Sequence, residues 1–191
     1  MALVMTSGPA SEPVTVAEAK AHLRIDHSAE DVLLASLILT SRLHIESALG
    51  LALVTQSWRL LLDRWPRKGV VKVPLRPLQS VNEIRVLAAD GTPLTVATAD
   101  YDVDTASEVP RIVRAAAAWP EPGRAAHGIE IDLVAGFGPN AAAVPQPIRQ
   151  ALLMLAAHWY EHRDPIEIGS EATVIPHGIS ELLAPWRRIR L

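Results

Sequence analysis

The sequence predicts an α+β chain: a small helical bundle built from N- and C-terminal helices, an inserted antiparallel β sub-domain, and an extended C-terminal arm. Three observations predict it. Apolar residues recur at helical spacing over residues 14–54 and again over 136–165. Between them, over 55–135, apolar and polar residues alternate in short runs set off by Gly and Pro. After Asp164-Pro165 the pattern is lost, which leaves residues 166–191 as a long tail. At 191 residues the chain suits one medium domain or a core with a sub-domain. It needs neither metal nor disulfide to fold, because a domain of this size buries roughly 70% of its unfolded surface.

Residues 1–13 are rich in Ser, Gly and Pro and are expected to form a flexible leader. Thr15-Val16-Ala17-Glu18 is a capping box, in which the Thr hydroxyl and the Glu carboxylate each serve the other's backbone N–H. A short helix should run from it to about Arg24. Ser28 opens a longer one, with Glu30 and Asp31 where the helix dipole favours acids. Leu34, Leu37, Ile38, Ser41, Ile45 and Ala48 give that helix a face, and Gly50 ends it. The β texture begins at Thr55. Trp58, Leu60 and Leu62 alternate with Arg59, Leu61 and Asp63, and Val70–Val73 and Val81–Leu87 are further strands. Asp90-Gly91 marks a turn. Leu94–Val96, Tyr101–Asp104 and Arg111–Val113 follow, and Ile129–Leu133 alternates most cleanly. Pro147 then opens a helix with Ile148, Ala151, Leu152, Leu155, Ala156 and Trp159 on one face.

Composition excludes several function classes. The chain has no cysteine, so it has no disulfide scaffold, no Cys nucleophile and no thiolate metal site. Its 18 basic and 21 acidic residues are not the footprint of a dedicated nucleic-acid binder. The acidic excess lies in residues 1–54, with three basic and six acidic groups. The longest apolar stretch, 151–160, is half the length of a membrane span, so no membrane partner is expected.

One motif points to an enzyme. His158-Trp159-Tyr160-Glu161-His162 matches H-x-x-E-H, which on a helix puts two zinc ligands on one face with Glu161 as the base. This makes a zinc-dependent hydrolase using His158, Glu161 and His162 the alternative function. A third ligand is needed, and His127 and His177, the nearest histidines, sit in Gly/Pro-rich segments. An amphipathic helix end with a polar rim explains the same residues, and neither a metal nor another cofactor is expected. Asp100, Asp102 and Asp104 invite a calcium reading but lack the glycine turn and the later Glu. Gly136-Phe137-Gly138 lacks the rest of a phosphate loop. Of the five tryptophans, Trp58, Trp65, Trp119 and Trp159 read as core or sheet anchors. Trp186 sits among leucines and arginines in the proline-broken tail and reads as a docking residue.

An ordered set of segments resembles the phage head–tail connector (adaptor) proteins of tailed phages and phage-like gene transfer agents. It opens with Val14-Thr15-Val16-Ala17-Glu18-Ala19-Lys20-Ala21-His22-Leu23-Arg24-Ile25-Asp26 and the acidic restart Glu30-Asp31. Thr55-Gln56-Ser57-Trp58-Arg59-Leu60, Pro74–Val81 and Tyr101-Asp102-Val103-Asp104 follow in order. Pro147-Ile148-Arg149-Gln150-Ala151, His158-Trp159-Tyr160-Glu161 and the basic end Leu182–Leu191 complete it. The resemblance implies a structural protein, not an enzyme. Such a protein is made in the bacterial cytoplasm and placed at the particle neck. It forms a homo-oligomeric ring, typically of twelve copies, under the portal protein. The ring extends the channel for DNA without gripping it and meets a downstream neck, stopper or tail protein. The resemblance also implies that the helical core builds the ring, and that Ile175–Leu191 reaches the portal. The portal-docking residues are then Ile175, Leu182, Leu183, Trp186, Arg187, Arg188, Ile189, Arg190 and Leu191.

Overall fold

Alternation over residues 55–135 becomes two antiparallel sheets in the computed structural model, which describes residues 1–115, 118–162 and 177–187. The sheets belong to one unit, Met1–Ala10 with Thr55–Phe137, and the helices to another, Ser11–Val54 with Gly138–Leu191.

Residues 1–13 are not a loose leader. Ala2–Ser7 form β1, which pairs antiparallel with β2 (Gln56–Leu62), Leu3 opposite Leu60 and Met5 opposite Trp58. The backbone edge of β2 supplies the order here: a short β-compatible run gains a hydrogen-bonded ladder that its own composition does not announce. The remaining strands are β3 (Val70–Lys72), β4 (Leu78–Leu87), β5 (Pro93–Thr95), β6 (Tyr101–Asp104), β7 (Arg111–Arg114) and β8 (Ile129–Ala135). They form a five-stranded sheet in the order β1-β2-β8-β4-β5 and a three-stranded sheet in the order β3-β7-β6.

The period of two sorts the large sheet cleanly. Leu60, Ile84, Ile129, Ile131 and Leu133 are fully buried on one face. On the other face Arg59 lies opposite Asp132 and Arg85 opposite Glu130. Arg59 grips Asp132 with two bonds, of 2.7 and 3.1 Å. Arg85 donates to Asp132 and Glu83, at 2.7 Å each. Partial burial pushes the Asp132 pKa up, but the hydrogen bonds and charges of Arg59 and Arg85 outweigh it and hold the carboxyl below its ordinary value. Two tryptophans act as the anchors expected of them. The rings of Trp65 and Trp119 lie 4.2 Å apart, and each indole N–H donates to a backbone carbonyl.

In the helical unit the capping box forms as the spacing requires. The Thr15 hydroxyl accepts from the Glu18 N–H at 3.1 Å, and the Glu18 carboxylate accepts from the Thr15 N–H at 2.7 Å. It starts α1 (Val16–Leu23). Next, α2 (Asp31–Leu49) begins three residues after Ser28 and closes at Gly50, whose φ of 64° is the left-handed cap. Then come α3 (Gln146–Glu161) and α4 (His177–Leu183). Leu34, Ile38, Ile45, Ile148, Leu152, Leu155 and Ile179 form the core. By length and composition α2 could cross a membrane, but here it packs on α1 and α3.

The expected extended arm needs revision over its described part. Residues 177–183 are the helix α4, and a single 3-10 turn, Ala184–Trp186, follows. The reason is local: Ile179 and Leu183, one helical turn apart, are both buried against the bundle. Gly178 and Pro185 disguise that spacing in the sequence.

Candidate docking surface

Helix α4 lies against α3 beside a cleft of about 570 Å³. Ile45, Leu49 and Leu155 line it from α2 and α3, Ile179 and Leu183 from α4, with Arg187 also on its wall. His44 and Trp159 hold α2 to α3 by an edge-to-face contact, ring centroids 5.7 Å apart. The Tyr160 hydroxyl donates to the Glu30 carboxylate, which fixes the start of α2 to the end of α3. Arg149 ties α3 to α1 by donating to the Pro13 carbonyl at 3.0 Å and to Glu18.

These contacts divide the expected docking residues. Leu183 is buried and Leu182 half-buried, so the first anchors α4 to the bundle. Trp186 is half-buried and Arg187 exposed, which leaves both able to meet a second protein. Ile175, Arg188, Ile189, Arg190 and Leu191 lie outside the described residues.

The H-x-x-E-H segment sits at the end of α3. The rings of His158 and His162 are 4.6 Å apart. Partial burial, then the charge of His162, holds His158 below its ordinary pKa. A zinc site needs a third donor, and among the described residues no three His, Cys, Asp or Glu side chains are grouped to hold a metal. His177 pairs with Glu181 at 3.2 Å, and His127 lies in the other unit, where its backbone N–H donates to Asp63. Of the three aspartates, Asp104 is engaged within its own strand and turn. Asp104 accepts from the Ser107 N–H and hydroxyl and from Arg111, and its pKa falls to about 2.

A cluster that sequence reasoning missed lies on the inner face of α2. Arg42 donates to Glu12 at 2.7 Å and to Glu46 at 2.8 Å, and Glu46 accepts the Leu53 N–H at 2.8 Å. The Arg42 and Glu46 side chains are only 5% and 8% exposed. Burial disfavours the Arg42 charge, but the two carboxylates outweigh it and raise its pKa. The signal was present: residues 38, 42, 45 and 49 follow one helix face, so Arg42 had to lie between Ile38 and Ile45.

Comparison with known proteins agrees with this architecture. A family profile described as phage gp6-like head–tail connector protein matches residues 13–90. No curated protein sequence matches. Among solved structures, a chain of the virion of a native gene transfer agent particle is 30% identical, with a TM-score of 0.85. A chain from the neck of the empty particle, computed with C6 symmetry, is 29% identical with a TM-score of 0.85. One from the neck of the native particle, computed with C12 symmetry, is 30% identical with a TM-score of 0.81. Each alignment covers 100% of this chain and 97% of the other.

Proposed function

The chain belongs to the phage head–tail connector family, and from that premise we propose that it is a ring-forming structural subunit at the head–tail interface of a phage-like or gene transfer agent particle. The observation that carries this is the match, end to end, to a chain in a neck computed with C12 symmetry. The ring, of twelve copies, continues the channel through which DNA passes. Its partners are the portal protein on one side, a downstream neck, stopper or tail protein on the other, and further copies of itself. The helical unit builds the ring, and the sheet unit faces outward or toward a neighbour. No step of this role asks for a catalytic group or a cofactor.

The C-terminal segment is the portal-docking element. Trp186 and Arg187 belong to it among the described residues, and Ile175 and residues 188–191 complete it. Three arginines against one glutamate over 181–191 suit an acidic partner surface, and Trp and Arg are the side chains most enriched at binding hot spots. Helix α4 holds this segment in place, with Ile179 and Leu183 as its buried pegs.

Two measurements test the reading. Electron microscopy of portal mixed with the full-length chain should show one added ring, and unchanged portal particles at saturating protein would refute the assignment. For docking, the deletion must spare α4, since a cut at residue 175 removes two core side chains. A chain ending at Leu183 should keep its melting temperature and lose portal affinity by at least tenfold. Portal binding at full-length affinity would overturn the docking role.

A further inference from the structure

Helix α2 buries Leu34, Ile38 and Ile45 on its inward side and still carries apolar residues on its outward side. The inward side holds the buried Arg42–Glu46 pair. On the outward side, positions 32, 36, 39, 43 and 47 follow the 4-3-4-4 spacing of one face, and they are Val32, Ser36, Leu39, Leu43 and Ser47. Val32 is 86% exposed, Leu39 41% and Leu43 47%. No Asp, Glu, Lys or Arg interrupts this stripe. A helix whose outer face meets only water carries charged and polar residues on that face.

We propose that this outer face of α2 is the surface on which the next copy of the same chain seats in the ring. The inference rests on the connector reading. Its own support is the exposed, uncharged apolar stripe of α2 together with the match to a neck of C12 symmetry. In a closed rotational ring every contact is heterologous, so each subunit must present two unlike patches and bury both against copies of itself. An uncharged apolar centre is the composition of a permanent protein contact. Nucleic acid is a poor occupant, because the stripe offers no cation to a phosphate. The portal has a better match in the basic C-terminal segment. The interleaved Ser36 and Ser47, being small, leave grooves between the larger side chains for a neighbour's ridges.

The absence of cysteine from the chain makes the test direct. The full-length chain carrying Leu39→Cys is labelled with a benzophenone maleimide, assembled into particles and irradiated. The expected product is an adduct of twice the chain mass whose peptides all come from this chain. Adducts to the portal or to another neck protein alone would overturn the inference, as would no adduct from a chain that electron microscopy locates in the neck. Absence of the labelled chain from the neck, with the unlabelled wild type absent as well, would instead overturn the connector reading beneath it. A second variant, Leu39→Asp with Leu43→Asp, should melt like the wild type as a free chain and lower ring assembly at least tenfold. Wild-type ring yield from that variant would overturn the inference. A collapse of its melting temperature would also do so, since it would show the stripe to be part of the core.

Discussion

In the five-stranded sheet, Arg59, Arg85, Glu83, Glu130 and Asp132 sit on the outer face while Leu60, Ile84 and Ile131 are buried. In α2 charge is buried too, Arg42 and Glu46 lying among Leu34, Ile38 and Ile45, while Val32, Leu39 and Leu43 are exposed. Both regions pair their charges well, yet the consequences differ. A half-buried cross-strand network keeps part of its solvation on folding, so it adds little stability. A buried pair costs desolvation that its mutual attraction must offset, and it becomes a liability when one member is removed. The charged face of the sheet is thus neutralised and partly wet, whereas the outer stripe of α2 is apolar and carries no charge.

The strongest way to break this contrast is to remove the guanidinium of Arg42. Arg42→Met takes the positive charge away from Glu12 and Glu46 inside the bundle, which should cost about 3–5 kcal/mol. Urea denaturation at neutral pH measures it. A loss below about 1 kcal/mol, the range of solvated pairs, would place the α2 cluster in the same class as the sheet network.

Neighbouring residues on α2 provide the next test. Ile38 is buried and Leu39 faces outward. Ile38→Ala should cost about 2–5 kcal/mol through lost burial and the cavity left behind. Leu39→Ala should stay within about 0.5 kcal/mol, as surface substitutions do. Ile131→Ala in β8 should match Ile38→Ala. Thermal unfolding of the three variants gives the comparison, and a large loss for Leu39→Ala would show that the outer face is already covered within one chain.

These contrasts also separate what the sequence could disclose from what it could not. The capping box at Thr15, the Gly50 stop, the Asp90-Gly91 turn and the alternation of Ile129–Leu133 are local signals, and each was readable because its cause lies within a few residues. Strand β1 was not, because its order comes from β2, more than fifty positions along the chain. The part of the C-terminal segment that folds as α4 was obscured because it has only seven helical residues, with Gly178 among them and Pro185 close behind, too few to stand without tertiary packing. The inner and outer faces of α2 are both present in the residue spacing. Telling them apart needed the partners Glu12 and Leu53, which the spacing does not reveal.

A smaller effect is expected at Asp132. Asp132→Asn weakens its pairing with Arg59 and Arg85 on a face that is still partly wet, and should cost about 1 kcal/mol at neutral pH. Its folded-state pKa is depressed. Its contribution is therefore complete above the unfolded carboxylate value of about 4 and disappears as pH falls through the lower folded value. The wild type should lose that increment on acidification, and the variant should show a flatter stability profile over the same range. Equal profiles would mean that the two arginines do not favour the ionised form.

The smallest expected effect is at Asp104, which compares a solvated charge site with the buried one in α2. Its pKa of about 2 is set first by hydrogen bonds from the Ser107 hydroxyl and N–H, and then by Arg111. Carbon-detected NMR titration should place the carboxyl near that value, below the ordinary 3.8. Whatever stability it contributes is present above 3.8 and lost as pH falls toward 2. Hydrogen bonds act at contact, whereas an exposed charge is screened over about 3 Å in 1 M salt. Ser107→Ala removes the hydroxyl bond and Arg111→Ala a bond and a charge, so each should raise the Asp104 pKa, and 1 M sodium chloride, which leaves the bonds in place, should return it only part of the way. Full return in salt would mean that the site is governed by charge, and that solvated and buried carboxylates in this chain obey the same electrostatic rule.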